Sequence, residues 1–443
     1  MRFTSMRKAL ALSLSLALLA ALPALGETSY TTLPAPELVP QRVLLGWSED
    51  PATTQTVTWR TGAPCAAAQA QVVRWSGLAK FSDDAATVQA VSAVTDLGRG
   101  EKAHTHEAVL RGLEPGTAYG YRVGDGTVWG EWHRFQTASA APEPFRFLYF
   151  GDTQSEILSK TSRVIREGWR RAPDARFMVF AGDLVNHGYD DGLWNEWCAM
   201  VGFIGASLPS MATPGNHDVH RTDEDPEGAS GVKPVWRAQF AAPLNGPEGL
   251  ASQEETSYYL DFQGTRLISI DGNLFSDHRE AVEAREKTHQ WLEGVLKDNP
   301  NRWTMVVQHQ PVYSTGGSRD NKEMRKALAP LYEKYGVDFV MQGHDHYYGR
   351  THKVAGEKTA DPAAKGPVYV VSVACPKMYE KNDRFDALMA ITLGGTQLYQ
   401  VIDVNNDRLR YESWSVGGEL VDAFELAKDA AGATVYKDLA PGK

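Results

Sequence analysis

Short runs of alternating apolar and polar residues fill the chain between residues 43 and 137. Residues 56–59 (TVTW) and 119–123 (YGYRV) alternate with a period of two, and turn residues such as those at 112–116 (GLEPG) separate the runs. Strands of this length and spacing are typical of an antiparallel β-sandwich of roughly 100 residues. We therefore predict that residues 39–138 form an all-β sandwich domain.

The pattern changes after a linker at residues 139–144. From there, apolar strand-like segments alternate with amphipathic helix-like segments, which is the order of an α/β domain. Further strand-like segments near its C-terminal end are expected to close a second sheet. We assign residues 145–425 to this domain and residues 426–443 to a tail without recognisable chemistry.

Residues 1–26 have the features of a secretory signal peptide. Three cations precede an apolar run, and the small residues at 24–26 (ALG) are typical of a cleavage site. The apolar run is too short to span a bilayer. We therefore predict an exported protein, periplasmic or secreted, without a membrane anchor, in which residues 27–38 form a leader.

Composition and charge narrow the class of protein. The chain has 443 residues, of which 42% are hydrophobic, enough for two or three domains. Its net charge of −10 becomes about −13 without the signal segment. Nucleic-acid binders are usually basic, so no nucleic-acid partner is expected. Three cysteines, Cys65, Cys198 and Cys375, are too few for a disulfide scaffold; their pairing and the oligomeric state stay open.

Polar motifs stand directly after the apolar strand-like segments of the α/β domain. They read GDTQ, GDLVN, GNHD, VVQH and GHDH, and their candidate ligands are Asp152, Asp183, Asn216, His309, His344 and His346. Because ligands of α/β sheets lie beyond the carboxyl ends of the strands, these side chains are expected to converge. Such a mixture of oxygen and nitrogen ligands suits manganese, zinc or iron. The alternating histidines of the last motif need not bind one ion, which favours two neighbouring metals.

The order of these motifs resembles the calcineurin-type metallophosphoesterases over about residues 145–415. The preceding domain, with its sequence THEAVLRGLEPGTAYGYRVG, resembles the fibronectin-type-III-like domain at the N-terminus of purple acid phosphatases. The resemblance implies a four-layer α/β sandwich, in which two mixed β-sheets lie between helices, and a dinuclear metal centre.

The resemblance also implies a role for each motif. Six side chains would hold the ions: Asp183 as the bridge, Asp152 and His346 on the first ion, and Asn216, His309 and His344 on the second. His217, with Asn216, would contact the substrate phosphate and stabilise or protonate the leaving oxygen, and Asp218 would orient the His217 ring. Two ions of this kind bind phosphoryl oxygens and activate a bound hydroxide for in-line attack.

Two positions depart from the family pattern. Purple acid phosphatases have an iron-binding Tyr three residues after the bridging Asp, where this chain has Asn186; many other members have a His two residues after the first Asp, where this chain has Gln154. Either amide is therefore a candidate additional metal ligand. Without phenolate charge Fe(III) is less stabilised, so we predict a colourless enzyme with two divalent ions, Mn, Zn or Fe. Tyr313, just past a metal-bearing turn, is a candidate substrate contact.

The predicted function is an exported phosphoesterase that hydrolyses small phosphate monoesters, as acid phosphatases do. A phosphodiesterase or nucleotide pyrophosphatase is the first alternative, because these activities share the ligand set. A non-catalytic surface binding protein is the second alternative, although nearly every ligand expected of an enzyme is present.

Overall fold

The computed structural model describes most of the chain: residues 36–65, 67–98, 101–219, 231–232, 234–275, 282–430 and 432–442. The predicted signal peptide lies outside these residues, as does most of the predicted leader. Among the helices in the described ranges, none is long and apolar enough to cross a membrane.

The N-terminal domain is all-β, as predicted. Its strands are β1 (Gln41–Gly46), β2 (Thr54–Thr61), β3 (Gln69–Arg74), β4 (Ala86–Gln89), β5 (Val91–Gly98), β6 (Glu101–Arg111), β7 (Ala118–Gly124) and β8 (His133–Gln136). They form two antiparallel sheets with the orders β1-β2-β6-β5 and β4-β3-β7-β8. The alternating apolar side chains of both sheets, among them Val57, Trp59 and Tyr121, form one buried core between them.

The second domain begins with a strand at residue 145. Its strands are β9 (Phe145–Phe150), β10 (Met178–Ala181), β11 (Ser210–Thr213), β12 (Tyr258–Phe262), β13 (Thr265–Ile270), β14 (Trp303–Gln308), β15 (Phe339–Gln342), β16 (Tyr348–Ala355), β17 (Lys358–Thr359), β18 (Val368–Val371), β19 (Met389–Leu393), β20 (Leu398–Val404), β21 (Arg408–Ser415), β22 (Leu420–Lys428) and β23 (Thr434–Asp438). Its α-helices are α1 (Ser162–Arg171), α2 (Asp191–Gly205), α3 (Pro234–Arg237), α4 (Val282–Lys297) and α5 (Lys322–Tyr335).

These strands form two mixed sheets. The first has the order β11-β10-β9-β20-β21-β22-β23, and the second has the order β12-β13-β14-β15-β18-β16-β17, with β19 paired to β16. Strands β9, β10 and β11 are parallel, as are β13, β14, β15 and β18. The ligand-bearing strands of each sheet therefore share a direction.

Apolar residues on both faces of the sheets explain the layers. Side chains such as Phe147, Met305 and Phe339 form a core between the two sheets. The opposite face of the first sheet packs against α1 and α2, and that of the second sheet packs against α4 and α5. Parallel strands covered on both faces must be apolar throughout, which is why they appear in the sequence as continuous hydrophobic runs. The predicted four-layer sandwich is confirmed.

The predicted tail is wrong, because the sheet continues beyond residue 425. That boundary lies inside β22, and β23 pairs with β22 as the last strand of the first sheet. Tyr436 joins the core between the sheets, and Lys428 forms a 2.9 Å ion pair with Asp338. The tail lacks long apolar runs because an edge strand buries only part of its surface.

Candidate metal centre

The predicted ligands converge at one edge of the two sheets. Asp152, Asp183 and Asn216 follow β9, β10 and β11 of the first sheet, whereas His309, His344 and His346 follow β14 and β15 of the second. Since each set of strands is parallel, the loops after them lie on the same side. The structure therefore brings all five sequence motifs to one place.

Two groups of candidate metal ligands share one carboxylate. Asp183, His309 and His344 form one group, and Asp152, Asp183 and His346 form the other; within each group the ligand atoms lie within 4.8 Å of one another. The Nε2 atom of His309 is 3.2 Å from Oδ2 of Asp183, and Nε2 of His346 is 3.6 Å from Oδ1 of Asp152. The shared Asp183 gives the arrangement of two adjacent cation positions.

Four of these residues adopt a backbone conformation that L-amino acids usually avoid. The φ angles are 35° at Asp152, 49° at Asp183, 76° at His344 and 48° at His346. Non-glycine residues with positive φ carry a conformational cost, and they concentrate at functional sites. The surrounding fold therefore holds the ligand-bearing turns in a backbone conformation that these residues would seldom adopt by themselves.

Glycines in the motifs allow the ligands to approach the neighbouring backbone. A Cβ atom on Gly215 would lie 2.1 Å from Oδ1 of Asp183, and one on Gly343 would lie 2.6 Å from Oδ2 of Asp152. Both distances are shorter than any real contact of a Cβ atom. The GNHD and GHDH turns therefore require glycine at these positions.

Main-chain carbonyls fix the orientation of two imidazole rings. His309 donates from Nδ1 to the carbonyl of Ala181, and His346 donates from Nδ1 to the carbonyl of Lys377, each at 2.8 Å. Nε2 is therefore the ring nitrogen that faces the carboxylates, and in the neutral imidazole it is the nitrogen free to bind a metal ion. This second hydrogen bond is the usual means by which proteins set the tautomer of a metal-binding histidine.

The site brings carboxyl groups together in a buried environment. Burial raises the pKa of Asp152 well above its ordinary value. Burial alone would lower the pKa of His309, but the carboxylates of Asp183 and Asp152 outweigh it and raise this pKa to about 9. Two carboxylates that so strongly favour a neighbouring positive charge form an environment suited to a bound cation.

Several buried oxygen atoms at the site have no hydrogen-bond donor, as expected of metal ligands. Oδ1 of Asp152, Oδ1 of Asn216 and Oε1 of Gln154 are buried and accept no hydrogen bond. A buried polar atom without a partner costs free energy, and a cation is the partner that carboxylate and amide oxygens share. The donor set and these atoms therefore fit divalent metal ions.

The prediction that Asp218 orients His217 is wrong. The Asp218 carboxylate accepts hydrogen bonds from the backbone N–H groups of Leu184, Val185 and Gly215. The His217 ring instead lies with Nδ1 2.8 Å from the carbonyl of Asn186. Asp218 points inward because its turn buries it completely, so it ties the GNHD turn to the loop after β10.

The structure also contradicts the proposed role of Tyr313. Its side chain is 1% exposed and packs edge-on against Tyr369 and Phe385 in the core beside α5. Tyr313 is therefore a core residue and not a contact at the substrate entrance. Its position next to a ligand-bearing turn did not reveal which way its side chain points.

The loop after β18 contributes residues that the sequence did not single out. Tyr379 packs against the His346 ring at 4.7 Å between centroids, and the Lys377 ammonium and the Arg319 guanidinium lie 5.4 Å and 5.0 Å from the Tyr379 ring. Cys375 Sγ is 3.4 Å from Nδ1 of His346, and burial raises the pKa of this thiol to about 12. No motif marks this loop, because it approaches the site only through the pairing of β18 with β15.

Both domains match known families. Residues 40–137 match the purple acid phosphatase N-terminal domain, and residues 145–348 match the calcineurin-like phosphoesterases. The chain is 24% identical to acid phosphatase type 7 from Mus musculus over 434 residues, which cover 90% of this chain and 94% of the mouse protein. It is 26% identical to probable purple acid phosphatase 20 from Arabidopsis thaliana over 275 residues, covering 60% of this chain and 59% of the plant protein.

Two solved structures share the fold. A purple acid phosphatase from yellow lupin (Lupinus luteus) seeds superposes with a TM-score of 0.73 at 18% identity, covering 89% of this chain and 75% of the lupin chain. PhoD superposes with a TM-score of 0.68 at 12% identity, covering 93% of this chain and 94% of that chain. At these identities the likeness shows the fold alone.

The fold, the shared carboxylate and the family matches together define a phosphoric ester hydrolase with a dinuclear metal centre. More closely, the chain combines a purple acid phosphatase N-terminal domain with a calcineurin-like phosphoesterase domain, and it is similar over most of its length to acid phosphatase type 7. The resemblance drawn from the five motifs is confirmed, and a non-catalytic binding protein is set aside.

Proposed function

We propose that this protein is an exported phosphomonoesterase that uses two divalent metal ions. The observation that carries the proposal is the Asp183 carboxylate, which belongs to both groups of candidate ligands. Its relatives named as acid phosphatases support the choice of phosphate monoesters as substrates.

Six side chains are proposed to hold the ions. Asp183 would be shared by both ions, Asp152 and His346 would hold the first, and Asn216, His309 and His344 would hold the second. The buried, unpartnered oxygens of Asp152 and Asn216 support this assignment. When bound, the two ions supply positive charge for the phosphoryl oxygens and acidify a water molecule that serves as the nucleophile.

His217 is proposed to act on the leaving oxygen. Its backbone N–H donates to Oδ1 of Asp183 at 2.8 Å, which fixes the residue beside the bridging carboxylate. Nδ1 donates to the carbonyl of Asn186, so Nε2 is the nitrogen available to the substrate. An imidazolium donates from both nitrogens, and protonated His217 can therefore give the Nε2 proton to the departing alkoxide.

Cations near the site support a preference for monoesters. Arg319 and Lys377 lie on the His346 side of the centre, within 5.0 Å and 5.4 Å of the centroid of the Tyr379 ring, which packs against His346. A phosphate monoester carries a charge of about −1.5 to −2 at neutral pH, whereas a diester carries a single charge. The additional positive charge therefore favours the more highly charged monoester.

We also propose that the enzyme is colourless and uses Mn²⁺, Zn²⁺ or Fe²⁺. Asn186 occupies the position of the iron-binding Tyr of purple acid phosphatases, and its neutral amide supplies no phenolate charge to stabilise Fe(III). Purified protein loaded with iron should show no tyrosinate-to-iron absorption band in the visible range. Such a band would contradict the proposed metal set.

Export is proposed from residues 1–26, in which a basic start and an apolar run precede a small-residue cleavage site. N-terminal sequencing of the protein recovered outside the cytoplasm should find a start after residue 26. A mature cytoplasmic protein that still carries these residues would contradict the proposal.

The experiment that tests the substrate class compares two chromogenic esters. The protein is stripped of metal, reloaded separately with Mn²⁺, Zn²⁺ or Fe²⁺, and assayed with an aryl phosphate monoester and the matching diester. We expect metal-dependent turnover with a higher kcat/KM for the monoester. A preference for the diester would instead support the phosphodiesterase alternative.

A further inference from the structure

The structure distinguishes between the two amides that stand where relatives place an additional metal ligand. Gln154 follows Asp152 by two residues, and Asn186 follows Asp183 by three. The Nε2 atom of Gln154 donates a 2.9 Å hydrogen bond to Oδ1 of Asn186. The two side chains are thus in contact. Gln154 uses its NH₂ group in this bond and Asn186 uses its oxygen, so the oxygen of Gln154 and the NH₂ group of Asn186 face other neighbours.

The side-chain oxygen of Asn186 is already engaged in a hydrogen bond. Its Oδ1 accepts from Gln154, and its Nδ2 lies 3.0 Å from Nε2 of His187. An amide NH₂ group donates hydrogen bonds and does not bind cations. Asn186 is therefore engaged as a hydrogen-bonding neighbour on both sides of its amide.

In Gln154, by contrast, the NH₂ group is engaged and the side-chain oxygen has no hydrogen-bond partner. The residue is 1% exposed, its NH₂ group is used by Asn186, and its Oε1 is buried without a hydrogen-bond donor. The oxygens of Asp152 and Asn216 in the same site share this property. An uncharged amide oxygen is a hard ligand of the kind that Mn²⁺ and related ions accept beside carboxylates.

The orientation of the Gln154 amide is set by a chain of contacts. The His187 ring stacks on Tyr189 with 5.4 Å between centroids, and its Nε2 lies 3.0 Å from Asn186 Nδ2, so the tautomer with unprotonated Nε2 accepts from this NH₂ group. Asn186 must then turn Oδ1 towards Gln154, which in turn directs the Gln154 NH₂ group to Asn186. The orientation of an amide is determined by such a network.

We propose that Oε1 of Gln154 is a protein ligand of the first metal ion, and that Asn186 and His187 are positioning residues that hold this oxygen towards the ion. The inference rests on the proposed assignment of the metal ligands. It replaces the imidazole or phenolate of the relatives with a neutral amide. The first ion is therefore bound by less ligand charge in this chain than in a tyrosine-containing purple acid phosphatase.

Calorimetric titration of the metal-stripped mature protein with Mn²⁺ tests this proposal without an activity assay. Wild type should bind two ions per chain. Gln154→Ala should weaken one of the two binding steps by about 10- to 100-fold, the range typical when the support of a metal ligand is lost. Gln154→Glu supplies an oxygen at the same place and should retain both steps.

Gln400→Ala is the matched control. Gln400 is also buried, also donates its NH₂ group, here to Ser413, and also has an unpartnered Oε1, but it lies in β20. Its replacement should affect stability and leave both Mn²⁺ affinities unchanged. Electron paramagnetic resonance of the Mn²⁺-loaded proteins should show the coupled two-ion signal in wild type, Gln154→Glu and Gln400→Ala, and a reduced signal in Gln154→Ala.

The outcomes separate this inference from the proposed function. If Gln154→Ala binds two Mn²⁺ ions as tightly as wild type, Gln154 is not a ligand; if only Asn186→Ala loses a binding step, the ligand is Asn186. Either result overturns the inference while the dinuclear site stands. If wild type itself binds fewer than two ions, the proposed metal assignment fails as well.

Discussion

The main-chain carbonyl of Asn186 accepts a hydrogen bond from Nδ1 of His217 at 2.8 Å. The loop after the second strand therefore orients the imidazole of the GNHD turn, whereas the adjacent Asp218 faces into the protein. Because the side chain of the same Asn186 also contacts Gln154, one residue connects the first metal position to the proposed acid. Within the GNHD motif, His217 is therefore the proposed acid, whereas Asp218 stabilises the turn.

His217→Gln should lower kcat by about 100-fold or more, which is the scale of general acid catalysis. The loss should be largest for esters with poor leaving groups, because these depend most on protonation. Metal content should stay at the wild-type level, since His217 is not a proposed ligand. Assays over a series of aryl phosphates measure this, with His289→Gln in α4 as a control; an equal loss for all leaving groups would contradict the acid role.

Asp218→Asn should destabilise the fold. The carboxylate is fully buried and accepts several backbone N–H groups, and an asparagine would point an NH₂ group at some of these donors. We expect a loss of roughly 3 kcal/mol in the free energy of unfolding, measured in urea. Asp174→Asn, an exposed partner of Arg146, should cost less than about 1 kcal/mol. Unchanged stability of Asp218→Asn would show that the buried carboxylate is not structural.

The N-terminal domain is joined to the catalytic domain by a charged contact. Arg42 of β1 donates to both carboxylate oxygens of Asp191 at the start of α2, at 2.7 and 2.9 Å. Asp191→Ala leaves the Arg42 guanidinium buried without its partner, and we expect a cost of roughly 3 kcal/mol. Differential scanning calorimetry should then show two thermal unfolding transitions, one for each domain, in place of the single transition expected of the wild type. Glu167→Ala, which breaks an exposed pair with Arg170, should leave the trace unchanged.

The stability of the N-terminal domain should fall in mildly acidic solution because of His106. Burial, together with the nearby His104, lowers the pKa of His106 from 6.5 to about 4. Between these values the unfolded chain binds a proton that the folded chain does not, so stability decreases as the pH falls. In His106→Gln the melting temperature should fall less between pH 7 and pH 4.5. His104→Gln removes only the smaller of the two causes, so its slope should lie between those of wild type and His106→Gln; equal slopes in all three proteins would exclude His106 as the cause.

Much of the site was predictable because its determinants are local. Asp152 and Asp183 each follow a glycine at the end of an apolar run, and a run of this kind indicates a buried parallel strand. Once the strands are parallel, the fold brings their ends together. The predicted ligands needed no knowledge of side-chain packing.

The remaining features depend on contacts between distant parts of the chain. Arg350 forms a fully buried ion pair with Asp422 of the other sheet at 2.7 Å. The inward orientation of Tyr313 and the approach of Tyr379 to His346 likewise result from sheet packing. A single sequence contains no periodic signal for such contacts.

The most direct test of the account measures monoester turnover while Mn²⁺ is added in steps to the metal-stripped protein. If Asp183 bridges two ions, full activity should require two equivalents per chain, and Asp183→Asn should lose turnover while remaining folded. Full activity at one equivalent, or turnover by Asp183→Asn at the wild-type rate, would contradict the dinuclear mechanism.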